Sequence, residues 1–269
     1  MAVFLYCSVV VNVVLVLLLA FLARRCQGQD NFSQAKIIKD IFSSCFPISL
    51  SKKYFGDKQL KNDISLPISG IYKRRKSGFE ALSLPSYSIV FLGDSLIQTC
   101  EWAELMDDFN VKNRGIAGDT IEMVLDRLPQ VTRFNPSQLL LMVGINDLCH
   151  RDCNLEATLE QYKKLLEQIN QTSPDTQILV HSVLPVNCAM FEKRFRKNGK
   201  HINLNVLRFN QELELLVNRC QAQYINLLSL LTNSSGQLSS IYTVDGLHLS
   251  GEAYGVWGQY LKPFLADRQ

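Results

Sequence analysis

The sequence predicts an α/β fold of three layers, a parallel sheet covered by helices on both faces. Three observations carry that expectation. Short, mainly apolar runs recur at residues 88–93, 139–144 and 177–182, the first two closing on glycine. Stretches of helical length lie between them, as at 120–132, 155–170, 204–220 and 251–264. Strands buried on both faces read as continuous apolar runs, and their alternation with helices requires right-handed crossovers between parallel strands.

Each element has its own local reason. Ser88-Ile-Val-Phe-Leu-Gly93 is an apolar run stopped by Gly-Asp, and Leu139-Leu-Leu-Met-Val-Gly144 repeats the design. Gln177-Ile-Leu-Val-His-Ser182 is a third strand, with shorter candidates at 110–113 and 223–226. In 155–169 the apolar residues Leu155, Leu159, Tyr162, Leu165, Leu166 and Ile169 fall on one side of a helix. Residues 27–86 lack such periodicity and read as a linker, a short helix near 36–42 and a wrapping segment ending in a helix around 72–82.

The N-terminus follows another rule. From Ala2 to Ala23 no residue is charged, a run long enough to cross ~30 Å of hydrocarbon at ~1.5 Å per residue. A retained transmembrane helix is the expectation, with a cleaved signal peptide as the alternative. Arg24 and Arg25 favour a cytoplasmic bulk, while Asn-x-Ser/Thr triplets at Asn31, Asn170 and Asn233 would suit export, so the compartment stays open. Eight cysteines do not decide it. The organisation read from the sequence is thus an anchor at 1–26, a linker at 27–86 and an α/β domain at 87–269.

Composition narrows the function. The 269 residues are 47% hydrophobic and 20% charged, values of a globular chain. Lys and Arg number 28 against 25 Asp and Glu, a net charge of only +3. The densest basic cluster, Lys73 to Lys76, reads as a solvated face, so nucleic acid is not an expected partner. Neither Cys-x-x-Cys nor His-Glu-x-x-His spacing occurs, and no glycine-rich phosphate loop follows the first strand. No metal and no cofactor are expected.

In a parallel α/β sheet, sites form beyond the carboxyl ends of the strands. Four polar clusters fall there: Gly93-Asp94-Ser95-Leu96, Gly115-Ile-Ala-Gly118-Asp119, Gly144-Ile-Asn146-Asp147 and Asp245-Gly-Leu-His248. Ser95 on a strand-to-helix turn is a candidate nucleophile that needs a base. His248 supplies one, and Asp245 three residues earlier can hold its tautomer. The Ser95 N–H, the Gly118 N–H and the Asn146 side-chain amide are candidate donors to an oxyanion. His150, His181 and His201 lack such a partner, and His181 inside an apolar strand reads as a satisfied core histidine.

Phe91-Leu-Gly-Asp-Ser-Leu96, Asn113-Arg-Gly-Ile-Ala-Gly-Asp-Thr120, Val143-Gly-Ile-Asn-Asp147 and Asp245-Gly-Leu-His248 together resemble the four blocks of the GDSL, or SGNH, hydrolase superfamily, in its order. The resemblance implies a flavodoxin-like sheet of about five parallel strands, with Ser95, Asp245 and His248 as catalytic triad and Ser95, Gly118 and Asn146 as oxyanion hole. It also implies hydrolysis of a carboxylic ester. The stretch from Gly115 to Leu128, including Arg127, is similar to the acetylhydrolase subunits that act on platelet-activating factor; lysophospholipase and thioesterase members are equally close in layout. With an apolar anchor, a lysophospholipid or other lipid ester is the expected substrate. A carbohydrate O-acetylesterase and a non-catalytic binding protein of the same fold are the alternatives.

Overall fold

The computed structural model describes residues 65–265 apart from Arg151. The expected anchor, the signal-peptide alternative and the helix near 36–42 lie outside the described residues. Among the described residues no helix is long and apolar enough to cross a membrane.

Helix α1 (Ser65–Glu80) leads into strand β1 (Ile89–Gly93), helices α2 (Ser95–Gln98) and α3 (Trp102–Met106), and strand β2 (Val111–Gly115). Then come α4 (Ile121–Arg127), α5 (Pro129–Thr132), β3 (Gln138–Met142) and α6 (Ile145–Leu148). After α7 (Leu155–Thr172) follow β4 (Gln177–His181), α8 (Cys188–Phe195), α9 (Gly199–Arg219), β5 (Gln223–Ile225), α10 (Leu228–Leu231) and α11 (Gly251–Leu265). The five strands lie in the order β2-β1-β3-β4-β5, and every pair is parallel. This is the doubly wound order in which the chain reverses direction between β1 and β3 and opens a crevice at their carboxyl ends.

The pleat divides the core in two. Val90, Leu92, Leu139, Leu141, Ile178 and Val180 face one side, where Val124 of α4, Leu166 of α7 and Phe209 of α9 cover them. Phe91, Leu140, Met142 and Leu179 face the other, against Trp102 of α3 and Trp257 of α11. Trp102 meets Phe91, Tyr254 and Trp257 edge to face, with ring centroids 4.5, 5.7 and 4.8 Å away. Aromatic pairs in this geometry add to the burial itself.

Several boundaries differ from the sequence expectation. The helix expected over 120–132 is two, because Pro129 has no N–H to continue the ladder and begins a new turn. Helix α9 starts at Gly199 rather than at 204, since the Asn198 side chain caps it by accepting from His201 N. Helix α8 was not anticipated. The expected boundary at 86/87 falls after α1, yet α1 is tied to the sheet domain: Tyr72 Oη donates to Asp126 Oδ2 at 2.6 Å and Arg75 Nε to the Gly115 carbonyl at 2.9 Å. Within the Lys73–Lys76 cluster, only Lys73 and Arg74 are a solvated face; Lys76 pairs with Asp126. His181 is buried as expected but not satisfied, as neither ring nitrogen has a hydrogen-bond partner among the described residues. Burial pushes its pKa down to about 3, so it sits neutral, edge-on to Trp257. The five cysteines among the described residues are free thiols.

Candidate active site

The site begins where β1 meets α2. Backbones approach there so closely that a Cβ on Gly93 would lie 2.0 Å from the Met142 carbonyl oxygen, and one on Gly115 would lie 2.2 Å from Gln98 N. Only glycine fits either position. Asp94 caps α2 by accepting from Leu96 N at 2.9 Å, which sets Ser95 as the first helical residue. Ser95 is partly exposed while both neighbours are buried. Tyr254 of α11 donates to the Leu96 carbonyl at 2.8 Å, bracing the turn.

Asp245 and His248 stand on an irregular loop before α11. Asp245 Oδ1 accepts from the N–H groups of Leu247 and His248 at 3.0 and 2.8 Å. Its second oxygen lies 2.8 Å from His248 Nδ1, and His248 Nε2 lies 3.1 Å from Ser95 Oγ. Burial raises the Asp245 pKa, but the hydrogen bonds from the His248 ring and from the two backbone N–H groups outweigh it and hold the carboxyl below the ordinary range. It therefore stays an anion facing Nδ1, which leaves Nε2 as the nitrogen turned to Ser95.

The second and third clusters meet beside this chain. Gly118 has φ +85°, a backbone that L side chains rarely adopt. Neither its N–H nor that of Ser95 has an acceptor among the described residues. Asn146 Nδ2 donates one hydrogen to the Asp119 carbonyl at 2.9 Å, next to Gly118, which orients the amide and leaves its second hydrogen unused. The structure thus joins Ser95, His248 and Asp245 by direct bonds and Asn146 to the Gly118 turn.

Beneath lies a buried polar support. Arg127 Nε donates to Asp119 Oδ2 at 2.7 Å and its Nη2 to the Gly93 carbonyl at 3.0 Å, so one guanidinium links the Gly118 turn to the end of β1. Burial pushes Asp94 up to about 7 and, against the pull of Arg127, Asp119 up to about 6. Asp147 is pushed to about 7 by the same cause. Sequence reasoning missed Asn113, whose amide donates to the carbonyls of Ile97 and Cys100, both at 2.9 Å, and so closes the end of α2. It opens the second of the four blocks, but nothing in the sequence pointed to this role. It also missed Phe195, whose ring centroid is 6.3 Å from that of His248. Among the described residues, no three His, Cys, Asp or Glu side chains gather where they could hold a metal ion.

The sequence profile of the GDSL-like lipase/acylhydrolase family matches residues 91–256, well over half of the chain. The chain belongs to this family. Membership makes it a hydrolase of ester bonds. The alpha1 subunit of rat platelet-activating factor acetylhydrolase IB is 29% identical over 177 residues, covering 62% of this chain and 69% of its own. The rat alpha2 subunit is also 29% identical, over 176 residues, with 62% and 70% covered. Among solved structures, a GDSL-like lipase from Bacteroides thetaiotaomicron superposes with a TM-score of 0.61 at 23% identity, over 72% of this chain and 96% of its own. That last likeness supports the fold alone.

Proposed function

We propose that this family member is a serine esterase using a Ser95-His248-Asp245 triad, with a lysophospholipid or other lipid-like ester as substrate. The observation that carries the reading is the unbroken relay of 3.1 Å from Ser95 Oγ to His248 Nε2 and 2.8 Å from His248 Nδ1 to Asp245. Ser95 Oγ attacks the ester carbonyl as its proton passes to His248 Nε2. The oxyanion is taken by the N–H groups of Ser95 and Gly118 and by the free hydrogen of the Asn146 amide. His248 returns the proton to the leaving alcohol, the acyl group stays on Ser95, and water, activated by the same imidazole, releases the acid. Asp245 orients the ring and stabilises its charged form.

A second reading is favoured by the names of the relatives, which are acetylhydrolases. On that reading the acyl group is acetyl, carried by a phospholipid or a saccharide. The apolar run at 2–23 would keep either activity at a membrane as a single-pass anchor.

The discriminating assay runs p-nitrophenyl esters from acetyl to palmitoyl with Ser95→Ala in parallel. Ser95→Ala is expected to lose about 10⁴- to 10⁶-fold in kcat and to escape labelling by a fluorophosphonate. Equal turnover by wild type and Ser95→Ala would sink the triad. Rising rates with chain length support the lipid ester, and a sharp preference for acetyl supports the second reading.

A further inference from the structure

Residues 193–200 carry Lys193, Arg194, Arg196, Lys197 and Lys200 and no carboxylate, in a chain whose net charge is only +3. All five side chains are exposed, and none is in an ion pair among the described residues. The acid that precedes them, Glu192, is committed elsewhere: its Oε1 accepts from Gly199 N at 3.0 Å. This run is longer than the Lys73–Lys76 cluster and differs from it in kind, since Lys76 is neutralised by Asp126 and the five here are not.

Its position gives it a role. The run occupies the end of α8, the turn after it and the start of α9. Helix α8 is docked on the triad loop: Asn187 N donates to the Gly246 carbonyl at 2.8 Å, and a Cβ on Gly246 would lie 2.3 Å from Phe191 N. The Phe191 ring meets the Phe195 ring at a tilt, centroids 4.9 Å apart, and Phe195 lies beside the His248 ring. The cationic turn therefore follows directly on the helix that packs against the loop carrying Asp245 and His248.

We propose that this turn recognises a negatively charged group carried by the ester substrate, a phosphate or carboxylate, and makes the site selective for anionic esters. The inference rests on the triad reading above. A cluster of unpaired cations next to a reaction site raises the local concentration of anions and speeds their association, an effect that salt removes. The phosphodiester of a lysophospholipid and the carboxylate of an acidic acetylated saccharide share this chemistry.

The test uses the full chain and three matched probes: phenyl acetate, 4-acetoxybenzoate and 4-acetoxyphenyl phosphate. Wild type is expected to favour the charged probes by roughly tenfold in kcat/KM at low ionic strength, with the preference shrinking toward unity near ~0.5 M salt. Replacing all five residues (Lys193→Gln, Arg194→Gln, Arg196→Gln, Lys197→Gln, Lys200→Gln) should erase the ratio of charged to neutral rates. A matched set of five, Lys73→Gln, Arg74→Gln, Lys163→Gln, Lys164→Gln and Lys262→Gln, should keep it. A higher rate on the phosphate points to the lipid source, and a higher rate on the carboxylate to the saccharide. Turnover of all three probes without charge preference in wild type, or an equal loss of preference in the matched set, overturns the proposal. Absence of turnover of every probe overturns the proposal, and with no fluorophosphonate labelling of Ser95 it overturns the triad reading beneath it as well.

Discussion

Ser95 stands where β1 runs into α2, and what holds it is buried and distributed. Gly93 and Gly115 let three backbones touch, Asp94 caps the helix, Asn113 closes its end, and Arg127 ties the Gly93 carbonyl to Asp119. His248 stands on an irregular loop, and what holds it is local and half-exposed: the turn made by Asp245 with two backbone N–H groups, and the contact of Gly246 with α8. The same site thus has one wall set by the sheet and another set by a four-residue turn. Changes to the first wall should register as lost stability, and changes to the second as lost activity.

The sharpest way to break that contrast is Asp245→Asn. The amide can still accept from Leu247 and His248 but turns a donor toward Nδ1 and imposes the wrong tautomer. A fall of about 10⁴-fold in kcat is expected, the size such a change has in an established Ser-His-Asp triad, with a nearly unchanged Tm. A collapse of Tm would mean that the turn is as structural as the elbow. On the other wall, Arg127→Met leaves Asp119 buried without its partner. Breaking a buried pair costs about 3–5 kcal/mol of unfolding free energy, to be read from denaturant titration. A loss below about 1 kcal/mol would show that the buried polar support does not hold the elbow.

Gly246→Ala tests the seam between the loop and α8. Its φ of +93° and its approach to Phe191 both oppose a side chain, at a cost of about 1–3 kcal/mol, with kcat falling through displacement of His248. An unaltered kcat with lowered stability would detach the seam from catalysis. The smallest effect concerns pH. Burial holds Asp94 at about 7 in the folded state, against ~3.9 in an unfolded chain. The folded protein therefore keeps a proton that the unfolded one has released, so this contribution to stability is full below pH ~4 and is lost as pH rises through about 7. Asp94→Asn retains the cap but cannot ionise, and should flatten the decline of Tm between about pH 5 and pH 8. An unchanged slope would assign the decline to other groups.

The fold was legible wherever one residue type answers one local need. Parallel strands between two helical layers show as apolar runs at 88–93, 139–144 and 177–182, within two residues of the strands the structure forms. Ser95, Gly118, Asn146, Asp245 and His248 were legible as four blocks in a fixed order. Asn113 was not, because its partners are carbonyls of a different element, which no spacing announces. The unsatisfied burial of His181 was not, since an apolar run says that a side chain is inside but not what lies beside its nitrogens. Helix α8 was obscured because its single buried residue, Phe191, makes no periodic stripe. The cationic turn that follows it reads in sequence as ordinary surface until the fold sets it against the triad loop.

The sequence by itself determined the period of each element, the glycines at its ends and the kinds of side chain at the strand termini, because those depend on neighbours a few residues away. Only the tertiary structure decided that His248 Nε2 meets Ser95 Oγ across 153 residues of chain, and that Phe195, within the cationic run, lies beside the His248 ring. Such meetings depend on strand order and on how loops of unequal length close over a sheet edge. That closure is a sum of many weak contacts along the whole chain, and no segment contains it.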